Sequence, residues 1–168
     1  MKKITYTLLL SIYLISSSAF VNFDKNKEAV KSAALKKWEA TPEGIFFKKW
    51  EASPAGKKVI ESTSKIRRSI KDFANMEAVV TSLSLPTGAR LGFGMMVNIN
   101  GEDFILSFGP DLNKEFGQLH NLKVNDKIII KSHSVSKAPK YAYPIVAGDY
   151  IERDGKVIYK RAPNKGGC

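Results

Sequence analysis

Between residues 24 and 74 the apolar positions recur at helical spacing among Lys, Glu and Ala. From Met76 to Arg161 they alternate with polar ones and are interrupted by turn signals. The change of period predicts an α+β chain, helices first and sheet after, joined near Ala74-Asn75. The strongest helical pattern covers 54–74, where Val59, Thr63, Ile66, Ile70 and Phe73 fall on one stripe. Lys57, Lys58, Lys65, Arg67, Arg68 and Lys71 occupy the rest of its circumference. An isolated helix of this length is marginal in water, so the stripe is expected to pack on the rest of the protein.

The helical region, 20–75, holds a repeat. Residues 36–44 (KKWEATPEG) return twelve positions later as 48–56 (KKWEASPAG), identical at seven of nine positions. The repeated unit is helix punctuation: Thr41 and Ser53 are N-cap residues, and Pro42 and Pro54 suit a first helical position that needs no N–H. Two copies are too few for a solenoid, so a compact helical hairpin or bundle is expected. Trp38 and Trp50 read first as large core residues, and second, beside the paired lysines Lys36, Lys37, Lys48 and Lys49, as a surface that could grip a glycan or a base, with Lys65 and Arg68 of the 54–74 helix in the same secondary set.

The alternating region predicts strands at Val79–Leu85, Leu91–Ile99 and Phe104–Phe108, with Asn100-Gly101 as the hairpin turn between the last two. Gly109-Pro110 breaks the pattern, Asp111 caps a short helix reaching about His120, and further strands follow at 128–135 and 141–146. Asp154-Gly155 turns a final hairpin between 149–153 and 156–161. Short strands of this kind favour a closed barrel, because closure removes exposed edges.

Three meandering strands, a short helix and two more strands, with Leu122-Lys123-Val124-Asn125-Asp126-Lys127-Ile128 leading into the fourth, resemble the oligonucleotide/oligosaccharide-binding (OB) fold over residues 76–161. Asn125 stands where Gly is usual, and the extra hairpin departs from the minimal five strands, which leaves an unrelated six- or seven-stranded barrel as the alternative. The resemblance implies ligands over strands two and three and over the loops 86–90 and 136–141. Those loops supply Arg90, Lys137, Lys140 and Tyr141 as ligand-binding residues: cations for phosphate or carboxylate, and a ring for stacking a base or sugar. The competing reading is of ordinary surface loops.

Charge and the N-terminus then narrow the setting. Lys and Arg outnumber Asp and Glu by 27 to 16, a net charge of +11 that draws the chain to polyanions. Met1-Lys2-Lys3, the apolar run Thr7–Ile15 and Ser17-Ser18-Ala19 have the n-region, h-region and cleavage site of a signal peptide over 1–19, which places the chain in a secreted or periplasmic setting. An uncleaved anchor is the competing reading, because no charge occurs from Ile4 to Phe23. The only Cys, Cys168, lies in the tail 162–168 and cannot close an internal disulfide, which leaves an intermolecular disulfide or no use at all.

No reaction is legible. The chain lacks GxxxxGK[ST], HExxH and GxSxG, and Gly92-x-Gly94 reads as a strand bend. His120 and His133 have no metal-ligand spacing, the acids around the turns at 101 and 154 read as water-facing, and no cofactor is implied. The expectation is a non-enzymatic binding module for an anionic polymer or acidic protein. The alternatives are a structural or inhibitor-like protein docking through its helices and, more weakly, a hydrolase whose site is assembled from distant residues.

Overall fold

The computed structural model describes residues 30, 32–109 and 116–162. The segment 1–19 read as a signal peptide, the stretch 110–115 and the tail with Cys168 therefore lie outside the described residues. No described helix is long and apolar enough to cross a membrane. The order is α1 (32–39), α2 (Pro42–Ala52) and α3 (Pro54–Lys71), followed by eight strands. The chain divides into two compact units, Met1–Lys49 and Trp50–Cys168.

The two copies of the sequence repeat make the same joint. In the first unit, the Trp38 carbonyl accepts from the Thr41 N–H at 2.9 Å and from the Thr41 hydroxyl at 2.8 Å, and Thr41 Oγ1 accepts from the Gly44 N–H at 3.1 Å. In the second, the Trp50 carbonyl accepts from the Ser53 N–H at 2.9 Å and its hydroxyl at 2.6 Å, and Ser53 Oγ accepts from Gly56 N–H at 3.1 Å. One hydroxyl thus closes one helix and caps the next. Glycine is required because a Cβ at Gly44 would lie 2.2 Å from the Trp38 carbonyl oxygen, and one at Gly56 2.0 Å from that of Trp50.

Within the second unit, α3 buries Val59 and Ile66 fully, and Ile66 joins the core formed by the sheet. Ile70 packs against that core partly exposed. The stripe stops there. α3 ends at Lys71 rather than 74, and Phe73 leaves the helix with φ 47°. Phe73 N–H then reaches the Ile70 carbonyl at 3.2 Å and Ala74 N–H that of Ser69 at 2.9 Å, which is a Schellman closure with phenylalanine in the place usual for glycine. The residue is 46% exposed.

The strands are β1 (Met76–Ser82), β2 (Phe93–Ile99), β3 (Glu102–Gly109), β4 (Lys127–Lys131), β5 (Val135–Ser136), β6 (Ile145–Ala147), β7 (Tyr150–Arg153) and β8 (Lys156–Lys160). They form one mixed sheet in the order β5-β6-β3-β2-β1-β4-β7-β8. The β2–β3 turn uses Asn100 and Gly101, both at positive φ (52° and 83°), as a two-residue hairpin demands. β3 pairs with β6 in parallel, and all other pairs are antiparallel.

This is not the closed barrel expected from the pattern. β7 occupies the edge of β4 not used by β1. The predicted strand 128–135 breaks at Ser132–Ser134, where the Ser132 hydroxyl donates to the Ser134 carbonyl at 2.8 Å and accepts the Ser134 N–H at 3.2 Å. Only the two residues of β5 continue beyond the break, on β6. The strand predicted over 141–146 shrinks to β6, and of the helix predicted from Asp111 to His120 the described residues contain a 3-10 turn at Leu119–Asn121.

The first strand faces opposite to the alternation of Val79, Thr81, Leu83 and Leu85 from which it is predicted. Met76, Ala78 and Val80 point inward, while Thr81 and Leu83 are exposed. Pairing of Met76 with Ile130 and of Ala78 with Ile128 puts those two isoleucines of β4 on the same buried face, and a one-residue slip would turn both out. Met95, Val97, Ile99, Phe104, Leu106 and Phe108 complete that core. Phe93, Phe108, Phe116 and Tyr159 add an aromatic cluster with neighbouring ring centroids 5.0 to 5.9 Å apart.

Candidate functional site

The loops 86–90 and 136–141 meet. Tyr141 Oη accepts the Arg90 N–H at 3.2 Å, and the Lys140 ammonium stands 5.6 Å from the centroid of the Tyr141 ring. Arg90 and Lys140 are exposed and Tyr141 is half-buried. Lys137 differs from the sequence expectation of a cation open to a ligand: its ammonium lies 2.7 Å from Glu51 Oε1 of α2, so much of its charge is already answered.

The secondary candidates fall elsewhere. Trp38, in the first unit, packs edge-on to Phe47 at 5.6 Å, and Trp50 is half-buried at the joint described above. On α3, Lys65 binds Glu102 Oε1 at 2.5 Å and lies 3.5 Å from Glu61, while Arg68 is 3.7 Å from Asp72. Hydrogen bonds from Lys65 and then Ser62 hold the Glu102 carboxyl below the usual range, and the same bond to Glu102 raises Lys65. Asp126, in the run entering β4, accepts the Lys123 N–H at 2.9 Å and Arg153 Nη1 at 2.8 Å, and those bonds, in that order, lower its carboxyl.

A second cluster has no counterpart in the sequence reading. Asp149, expected at a water-facing turn, is only 7% exposed. Its Oδ1 accepts from Arg161 Nε at 2.6 Å, and its Oδ2 from the His133 N–H at 2.7 Å and from His133 Nδ1. Arg161 Nη2 also donates to the Gly148 carbonyl at 3.0 Å. A carboxylate only accepts, which fixes the proton on Nδ1 and leaves Nε2 on the far side of the ring. Beside this group Lys131 stands 5.8 Å from the Phe73 ring centroid and 5.2 Å from that of Tyr150, whose hydroxyl donates to Glu152 at 2.7 Å and is raised by that bond.

Two hollows flank the cluster. One, of about 260 Å³, is lined by Phe73, His133, Asp149, Tyr150, Lys160 and Arg161. The other, of about 290 Å³, shares His133 and Arg161 and adds Ser107, Ser134 and Ser136. A larger hollow of about 470 Å³ lies over β1, β4 and β7, with Glu77, Glu152, Asp154 and Lys127 at its walls. Among the described residues no three His, Cys, Asp or Glu side chains come together as a metal site. No family model, curated protein or solved structure matches the chain.

Proposed function

We propose that this chain is an exported, non-enzymatic binding module that holds an anionic polymer against a basic, aromatic-bearing edge built from loops 86–90 and 136–141. The observation that carries this reading is the junction of those loops: the Arg90 N–H on Tyr141 Oη, with the Lys140 ammonium beside the same ring. A cation next to a flat face gives a phosphate or sulfate its counter-charge and a base or sugar its stacking partner. The net charge of +11 adds long-range attraction. The OB-like part of the reading draws support from the strand pairing, in which β1, β2 and β3 meander, β4 lies on β1, and β6 returns parallel to β3. The cations that bear on the polymer are Arg90 and Lys140, with Lys137 secondary because of Glu51.

Binding to heparin and to single-stranded DNA over a series of salt concentrations tests this. The parent should weaken steeply with salt, and Arg90→Ala combined with Lys140→Ala should lower the slope by roughly one for each cation removed. Tyr141→Ala should weaken binding with little change of slope. An unchanged slope in the double variant sinks the site.

A second reading, docking on a partner protein through the helices, is favoured by one observation: Ile45 and Phe46 of α2 are 59% and 62% exposed side by side. Binding by that surface would persist at high salt.

A further inference from the structure

The cleft at the end of α3 has the parts of a nucleotide site in spatial order. Its aromatic end is formed by Phe73 and Tyr150, with Phe73 half-exposed although its backbone sits in the left-handed region that a bulky residue rarely enters. Sterically costly conformations of this kind persist where the surroundings impose them and gather at ligand clamps. The Lys131 ammonium lies over both rings and brings a positive charge to this end of the cleft.

Two cations and an imidazole line the boundary with the second hollow. His133 and Arg161 line both hollows, and Lys160 joins them in the first. Among the described residues Asp149 is the one acid lining either hollow, and it is buried and turned to Arg161 and His133. It therefore orients the imidazole, whose side chain is 63% exposed, so that Nε2 faces away from the carboxylate. Beyond this boundary the second hollow carries the hydroxyl residues Ser107, Ser134 and Ser136. A ring, then an anion, then a hydroxyl-bearing unit is the order of groups along a single strand of nucleic acid.

We propose that this cleft binds one phosphodiester-linked step of single-stranded nucleic acid, with a base on Phe73, the phosphate at His133, Lys160 and Arg161, and the adjoining sugar in the serine-lined hollow. The site uses none of Arg90, Lys140 or Tyr141, so it stands or falls separately from the loop edge. A flat base fits against the Phe73 ring better than a puckered sulfated sugar, which is why the nucleic acid is preferred over a glycan.

Calorimetric titration of the full chain with the dinucleoside monophosphate ApA, adenosine, inorganic phosphate and a sulfated disaccharide tests the assignment. ApA should bind more tightly than each of the other three. Phe73→Ala should weaken ApA on the order of tenfold, the size of one lost base stack. His133→Asn and Lys160→Ala should each weaken it several-fold, and Lys160, being exposed, decides the phosphate contact should His133→Asn lower stability. Lys156→Ala, exposed at the β7–β8 turn and lining neither hollow, should leave ApA affinity unchanged. The proposal is overturned if ApA binds no better than inorganic phosphate or the sulfated disaccharide, or if Phe73→Ala and Lys160→Ala both bind ApA like the parent.

Discussion

Asp149 grips His133 twice, accepting both its backbone N–H, at 2.7 Å, and its ring Nδ1–H on the same oxygen, Oδ2. The other oxygen belongs to Arg161, at 2.6 Å. One buried carboxylate thereby ties the kink after β4 to the end of β8, sixteen residues away on one side and twelve on the other. The Asp149 N–H also donates to the Lys131 carbonyl, and its carbonyl accepts the Arg161 N–H at 2.7 Å. A buried carboxylate with three donors is satisfied, and its loss leaves a guanidinium and an imidazole competing for what remains.

Asp149→Asn should therefore destabilise the protein by about 3 kcal/mol, the low end for breaking a buried ion pair, because Arg161 is partly exposed. The amide keeps one acceptor and turns two N–H groups toward groups that are themselves donors. Urea unfolding measures the loss, and a change under about 0.5 kcal/mol would mean that the network contributes little net stability.

Half of this cluster has a signal in the sequence that the reading of Asp149 as a water-facing acid passed over. A two-residue turn at Asp154-Gly155 sets the hairpin register, and counting outward puts Asp149 opposite a cation: Lys160 in a regular hairpin, Arg161 once the irregularity at Ile151/Glu152 shifts the pairing by one. His133 was not legible, because it reaches Asp149 only through the break at Ser132–Ser134, and nothing in an isoleucine run followed by polar residues says where a strand kinks. The phase of β1 was lost for a related reason. Val79, Thr81, Leu83 and Leu85 alternate as well as Met76, Ala78 and Val80 do, and only the partner strand, with Ile128 and Ile130 facing inward, selects between them. The Asn100-Gly101 turn and the inward faces of β2 and β3 were readable because local chemistry alone fixes them. The meeting of Arg90 with Tyr141 spans fifty-one residues and was expected only through the OB resemblance.

Gly56→Ala should cost about 1 to 3 kcal/mol, as overpacking does, because the new methyl would meet the Trp50 carbonyl oxygen at 2.0 Å and backbone cannot move aside cheaply. An exposed helical glycine replaced by alanine normally gains stability, so the sign of the effect is diagnostic. Thermal unfolding of Gly56→Ala beside Ala55→Gly, an exposed neighbour in the same turn, separates the steric cost from helix propensity.

Ile66→Asp should destabilise by several kcal/mol, since Ile66 is 1% exposed within the sheet core and an aspartate there has no partner. Ile70→Asp, on the same stripe but partly exposed, should cost less. Equal effects at the two positions would mean that α3 does not pack as a graded face.

Acid stability should depend on Glu102. Its carboxyl is held low by Lys65 and then Ser62, so the folded state favours the carboxylate more than the unfolded chain does. That contribution is present above the ordinary carboxyl range, near 4.3, and is lost as pH falls through the lower folded value. Asp126 behaves alike through the Lys123 N–H and Arg153. Glu102→Gln should be less stable than the parent at neutral pH, and the two should converge as the medium is acidified below about pH 4. Parallel stability curves for parent and variant down to about pH 2 would rule out this linkage.

Phe73→Gly should remove ligand binding at the α3 cleft while costing less stability than Phe73→Ala. The left-handed conformation at φ 47° costs a phenylalanine roughly 1 kcal/mol more than a glycine, a strain that Phe73→Gly relieves. Against that relief stand the burial of about half of the residue's surface, the contact with Lys131 and the greater freedom of glycine in the unfolded chain. Phe73→Ala keeps the backbone cost and loses the ring, so it should be the least stable of the three. The expected order in urea midpoint is Phe above Gly above Ala, with ApA binding kept only by Phe. A Phe73→Gly variant no more stable than Phe73→Ala would mean that the turn imposes no left-handed cost on phenylalanine.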